Sequence, residues 1–94
     1  MTEQQKKILA VLDMSYDEQW EWLEKKYGGG AFHSFETLAW TLRNKAGARF
    51  YTAMRMMYDE LTNDSNPDGF GIWWMLDTKP IHWIIAALLA KESK

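Results

Sequence analysis

The chain lacks cysteine and has only two histidines and two prolines in 94 residues. Without cysteine there is no disulfide, no thiolate zinc ligand and no thiol nucleophile, although the compartment is left open. Charge of one sign is also missing, since 11 Lys and Arg stand against 13 Asp and Glu for a formal net charge of −2. No stretch forms a basic footprint for a phosphate backbone or an acidic tail. Long apolar runs are absent too. Residues 8–12 are too few for a signal peptide and are closed by Asp13. Residues 72–90 contain Asp77, Lys79, Pro80 and His82, which disfavour a membrane span. The expectation is a cytoplasmic protein without a membrane partner.

The chain is rich instead in tryptophan, at positions 20, 22, 40, 73, 74 and 83. Each indole can bury roughly 150–250 Å². With 47% hydrophobic and 26% charged residues, the composition is globular rather than disordered. The length fits one α-helical domain over 1–94 with an adequate but not generous core.

Helical signals run through the sequence. Thr2 with Gln5, and Ser15 with Glu18, have the spacing of capping boxes. Tyr16, Trp20, Leu23 and Tyr27 form one stripe, stopped by the glycine triplet 28–30. Ser34 caps a helix with Phe35, Leu38, Ala39 and Leu42 on one face, which Gly47 ends or kinks. Phe50, Met54, Met57 and Leu61 form the cleanest stripe, widened by Tyr51 and Tyr58. Asn66-Pro67-Asp68-Gly69 signals a type I turn. Residues 70–76 are ambiguous between a short extended segment, a 3₁₀ turn and an irregular aromatic plug. Thr78 is the expected cap of a last helix with Pro80 in its first turn. That helix is apolar nearly all round, as a central helix is: Ile81, Ile84, Ile85 and Leu88 on one side, Trp83, Ala86, Ala87 and Ala90 on most of the other. The fold expected is all-α, a compact bundle of four or five short helices with a buried C-terminal helix.

Chemistry-bearing motifs are few. Asp64, Asn66, Asp68 and Gly69 have the spacing of a calcium loop, but its twelfth position is Met75 where a bidentate glutamate is needed, so the turn is preferred. His33 and His82 have no third ligand at metal-binding spacing; His82 reads as a packing histidine and His33 as an exposed one. Ser15 and Ser34 are better explained as caps than as nucleophiles. Glu18 and Glu21 share a helical face, where Lys25 makes an ordinary ion pair with Glu21 the simpler reading. The glycine triplet has no P-loop lysine. Arg43, Lys45, Arg49 and Arg55, with Trp40 and Tyr51, form the one basic-aromatic cluster, too sparse on an acidic chain to make nucleic acid the expected partner. No catalytic set, cofactor or metal is indicated, and a non-enzyme is favoured.

At about 100° per residue, Trp20 lies on its stripe and Trp83 is covered by a helix buried on both sides. Trp22, Trp40, Trp73 and Trp74, with the off-stripe Met56, make up the candidate interaction surface, of which the adjacent Trp73 and Trp74 supply one outward ring if extended. Tryptophan is enriched at binding hot spots. Two stretches, SFETLAWTLRNK at 34–45 and KPIHWIIAALLAK at 79–91, resemble small uncharacterised proteins of phages and prophages. The resemblance implies a viral or mobile-element origin, with the host-cell cytoplasm as the setting, and carries no functional residue. The favoured function is protein–protein interaction through an aromatic face, with self-association or a protein partner. The alternatives are a small-molecule or enzymatic pocket lined by Trp73, Trp74 and His82, and nucleic-acid binding through the basic cluster.

Overall fold

A computed structural model describes residues 2–28, 30, 32–62 and 67–92, the side chains of 67, 68 and 92 excepted. The described residues form α1 (Glu3–Leu9), a 3₁₀ turn (Ala10–Asp13), α2 (Tyr16–Tyr27), α3 (Phe35–Ala46), α4 (Ala48–Thr62), α5 (Pro67–Asp77) and α6 (Pro80–Glu92). The all-α bundle is as the sequence implies, with six α-helices rather than four or five. The extra one is α5, since residues 70–76 are helical rather than extended, 3₁₀ or irregular.

The ends of the helices follow from local chemistry. Thr2 accepts the N–H of Gln5 while the Gln5 side chain accepts the N–H of Thr2, at 3.1 and 2.8 Å. Ser15 and Glu18 repeat the exchange at the start of α2, and this holds the Glu18 carboxyl below its ordinary pKa. Ser34 caps α3 by accepting the N–H of Thr37. Gly28 ends α2 at φ 91°. The single residue Gly47 turns α3 into α4 at φ 61°, a conformation that strains any side-chain-bearing residue.

Helix α6 is the centre of the bundle, packed against α1, α3 and α4. Ile81 and every residue from Ile84 to Ala90 are buried. Around them close Ile8 and Val11, Leu23, Phe35, Leu38 and Ala39, and Phe50, Ala53, Met54 and Met57. Gln19 is buried as well, its amide donating to the Val11 carbonyl at 3.0 Å, so the polar group is satisfied. Two stripe positions differ from expectation. Tyr16, at the first position of α2, and Leu61, in the last turn of α4, lie at helix ends and are exposed, Tyr16 with Phe35 of α3 on one side of its ring at 5.1 Å.

The α5–α6 junction corrects one cap. Thr78 does not cap α6; its hydroxyl donates to the Trp74 carbonyl and accepts the Trp83 indole N–H at 3.2 Å. The cap is made by His82, whose Nδ1 accepts the Lys79 N–H at 3.0 Å. His82 stands where Gln5 and Glu18 stand in their own helices. Among the described residues no helix is long and apolar enough to cross a membrane.

Candidate interaction surface

Helix α5 is built from two unlike halves. Residues 69–76 carry neither charge nor hydroxyl, the composition of a helix covered on all sides. One side is covered. Phe70 and Trp73 are buried and Trp74 half-buried, in a ring cluster with Phe50, Tyr51 and Tyr58 of α4 at centroid distances of 5.3–6.1 Å. The other side is open. Ile72 is 60% exposed, Met75 83% and Leu76 75%. At about 100° per residue these three span about 100° of arc, opposite the buried rings. The exposed Tyr51 borders the helix through its edge contact with Phe70.

The residues singled out from the sequence are dispersed. Trp22, on α2, is half-buried against the core, with the Lys26 ammonium 5.6 Å from its ring centroid. Trp40 stands in solvent on α3 at 60% exposure. Met56 is half-buried on α4. Trp73 is 8% exposed and therefore not a surface residue; helical rather than extended geometry turns it and Trp74 together toward α4, with Trp73 also meeting His82 of α6. Among the described residues no ring contact joins Trp22 or Trp40 to the α5 pair. The exposed apolar patch is aliphatic instead. Ile72, Met75 and Leu76 were not among the sequence candidates, because only a helical reading of 70–76 brings them to one face.

The basic-aromatic cluster is divided by the fold. The Arg43 guanidinium lies over the rings of Phe50, Trp74 and Trp83 at 5.3–5.9 Å. Arg55 lies over Tyr58 and Phe70 and pairs with Asp59 at 3.7 Å. Both are engaged within the chain, which leaves Lys45 and Arg49 facing solvent. Glu21 and Lys25 form the exposed ion pair expected of them, at 3.3 Å.

His82 does not share a pocket with Trp73 and Trp74. Trp73 meets it edge-on at 6.2 Å, and the groove that His82 lines, of about 680 Å³, is walled by Trp20, Tyr16 and Phe35. His33, Glu36, Asp77 and Lys79 line the same groove. Burial lowers the pKa of His82, and the neighbouring Lys79 ammonium acts in the same direction. Among the described residues no three His, Asp or Glu side chains are placed to hold a metal ion. Asp64 and Asn66 of the calcium-like pattern lie outside the described residues, while Gly71 and Met75, its later positions, are inside α5.

No family model, curated protein or solved structure matches the chain. The functional reading therefore rests on these surfaces.

Proposed function

We propose that the chain acts by protein–protein contact, with the outer face of α5 as the contact element and a second copy of the chain as its occupant. The observation that carries this is the exposure of Ile72, Met75 and Leu76 together on one side of a helix composed like a core element. An exposed contiguous apolar patch marks an interaction site or is a solubility liability. Residues 72–76 carry no charge, so two copies related by a two-fold axis meet without opposing like charges. The phage-type resemblance of residues 34–45 and 79–91 adds a host cytoplasm as the setting and leaves the contact itself unchanged. Light scattering of the purified chain and of Met75→Glu and Leu76→Glu tests the proposal. A dimer that becomes monomeric in either variant, with unchanged circular dichroism, supports it. A wild-type chain that stays monomeric at millimolar concentration refutes it.

The groove shared by His33 and His82 supports a second reading, small-molecule binding, because the fold brings the chain's two imidazoles to one opening of mixed aromatic and polar lining. A fragment screen read by the imidazole resonances tests it, and hits that move neither histidine count against it.

A further inference from the structure

A different groove, of about 530 Å³, opens between the ends of α3 and α6 and the start of α4. Lys45, Arg49 and Lys91 rim it, one from each helix, and all three are exposed. No ion pair engages them among the described residues, and no carboxylate lines the opening there. Half-buried Leu42 and Ala46 form the accessible floor, with the buried Ala87, Leu88 and Ala90 beneath them. Three of the lining positions are alanine, too short to reach across the opening. Half-buried Tyr27 closes one side; burial raises its pKa, so the phenol keeps its proton and its capacity to donate.

Helix electrostatics bear on the cations and say nothing of the apolar floor beneath them. Lys45 and Lys91 sit in last turns, where cations complement the helix dipole. Arg49 is the second residue of α4, where the dipole disfavours a positive charge. The neighbouring C-terminal ends of α3 and α6 offset that field and favour cations at the opening. Three exposed cations with no ion-pair partner among the described residues, gathered above an apolar floor, are complementary to an anion with an apolar part. The floor specifies the rest of that ligand. A nucleic-acid phosphate uses the cations and leaves the leucines and alanines idle, whereas a head group on a hydrocarbon tail uses both.

We infer that this groove binds an amphiphile with an anionic head and an aliphatic tail, the head held by Lys45, Arg49 and Lys91 and the tail lying on the Leu42–Ala46 floor. The volume lies within the usual range for small-molecule sites. Isothermal titration of the full chain with decanoate, decyl phosphate, inorganic phosphate and octyl glucoside, all below micelle-forming concentrations, tests the inference. The two decyl anions are expected to bind at one site, the tighter of them identifying the head group. Inorganic phosphate, without a tail, and octyl glucoside, without a charge, are expected to bind about tenfold more weakly or worse. Arg49→Glu is expected to weaken decanoate by about tenfold or more, and Ala46→Leu to abolish its binding by filling the floor. Met75→Glu is expected to leave it unchanged, which separates this site from the face of α5. Octyl glucoside binding as tightly as decanoate, or decanoate binding indifferent to Arg49→Glu, overturns the inference. Displacement of decanoate by a DNA duplex with a steep salt dependence also overturns it, in favour of a phosphate-backbone site. Should Ala46→Leu fail to fold, the exposed Arg49 variant decides alone.

Discussion

The indole N–H of Trp83 donates to the hydroxyl of Thr78 at 3.2 Å, and the same hydroxyl donates to the carbonyl of Trp74, so one threonine links the end of α5 to the first turns of α6. Thr78→Val keeps the shape of the side chain and removes both bonds. A partly buried indole N–H left without a partner costs about 1–3 kcal/mol. The variant is expected to melt several degrees lower, about 4–8 °C for each kcal/mol in a domain of this size, and Thr78→Ser to recover most of the loss. Thermal denaturation followed by circular dichroism is the check, and equal melting of wild type and Thr78→Val contradicts the linking role.

The two strongly apolar helices should respond oppositely to truncation. Ile85 of α6 has no exposed surface, and Ile85→Ala is expected to cost about 2–5 kcal/mol through lost burial and the cavity left behind. Ile72 of α5 is 60% exposed, and Ile72→Ala in the monomer is expected to stay within about 0.5 kcal/mol of wild type. Urea denaturation at low protein concentration measures both. Comparable losses would mean that the outer face of α5 is covered within the chain.

His82 makes stability depend on pH. Its folded pKa lies below the unfolded value of 6.5, chiefly through burial, and its Nδ1 can accept the Lys79 N–H only when that nitrogen is unprotonated. The native state therefore binds its proton less readily than the unfolded chain. The stabilisation is complete above pH 6.5, declines as the pH falls below that value, and is fully lost below the folded pKa. Glu36, Asp77 and Lys79 line the same groove, so the comparison must be with a variant that leaves them in place. His82→Gln keeps an acceptor at the capping position, as Gln5 does in α1, without a titrating ring. Its stability is expected to stay flat between pH 6.5 and 5 where that of wild type falls; parallel curves would exclude His82 as the source.

The legible parts of the fold were those decided by local chemistry. Thr2–Gln5, Ser15–Glu18 and Ser34 announce helix starts because each satisfies backbone groups within four residues, and Gly28 and Gly47 mark stops because the backbone there has positive φ. The identity of α6 as the core helix was legible because no face of it suits water. Helix α5 was obscured by its own residues. Pro67 suits the second position of a turn and the first turn of a helix through the same fixed φ. Gly69, Gly71 and the paired indoles lower helix propensity, and packing against α4 overrides them. Periodicity also gives the direction a side chain takes without the reach of its neighbours, which is why Tyr16 and Leu61 were expected inside. The surfaces were the least legible. Whether Arg43 meets solvent or three aromatic rings depends on Trp74 and Trp83 as well as on the nearby Phe50, and those two indoles stand more than thirty residues along the chain.

The central position of α6 has a consequence for the order of events on the ribosome. The inner faces of α1, α3 and α4 close on residues 80–92, which are synthesised after all of them. Until that segment emerges, Ile8, Leu38 and Met54 have no permanent partner, and a nascent chain holds a set of amphipathic helices rather than a core. Final collapse then waits on contacts distant in sequence, which slows folding and leaves the early segments open to chaperones in the interval.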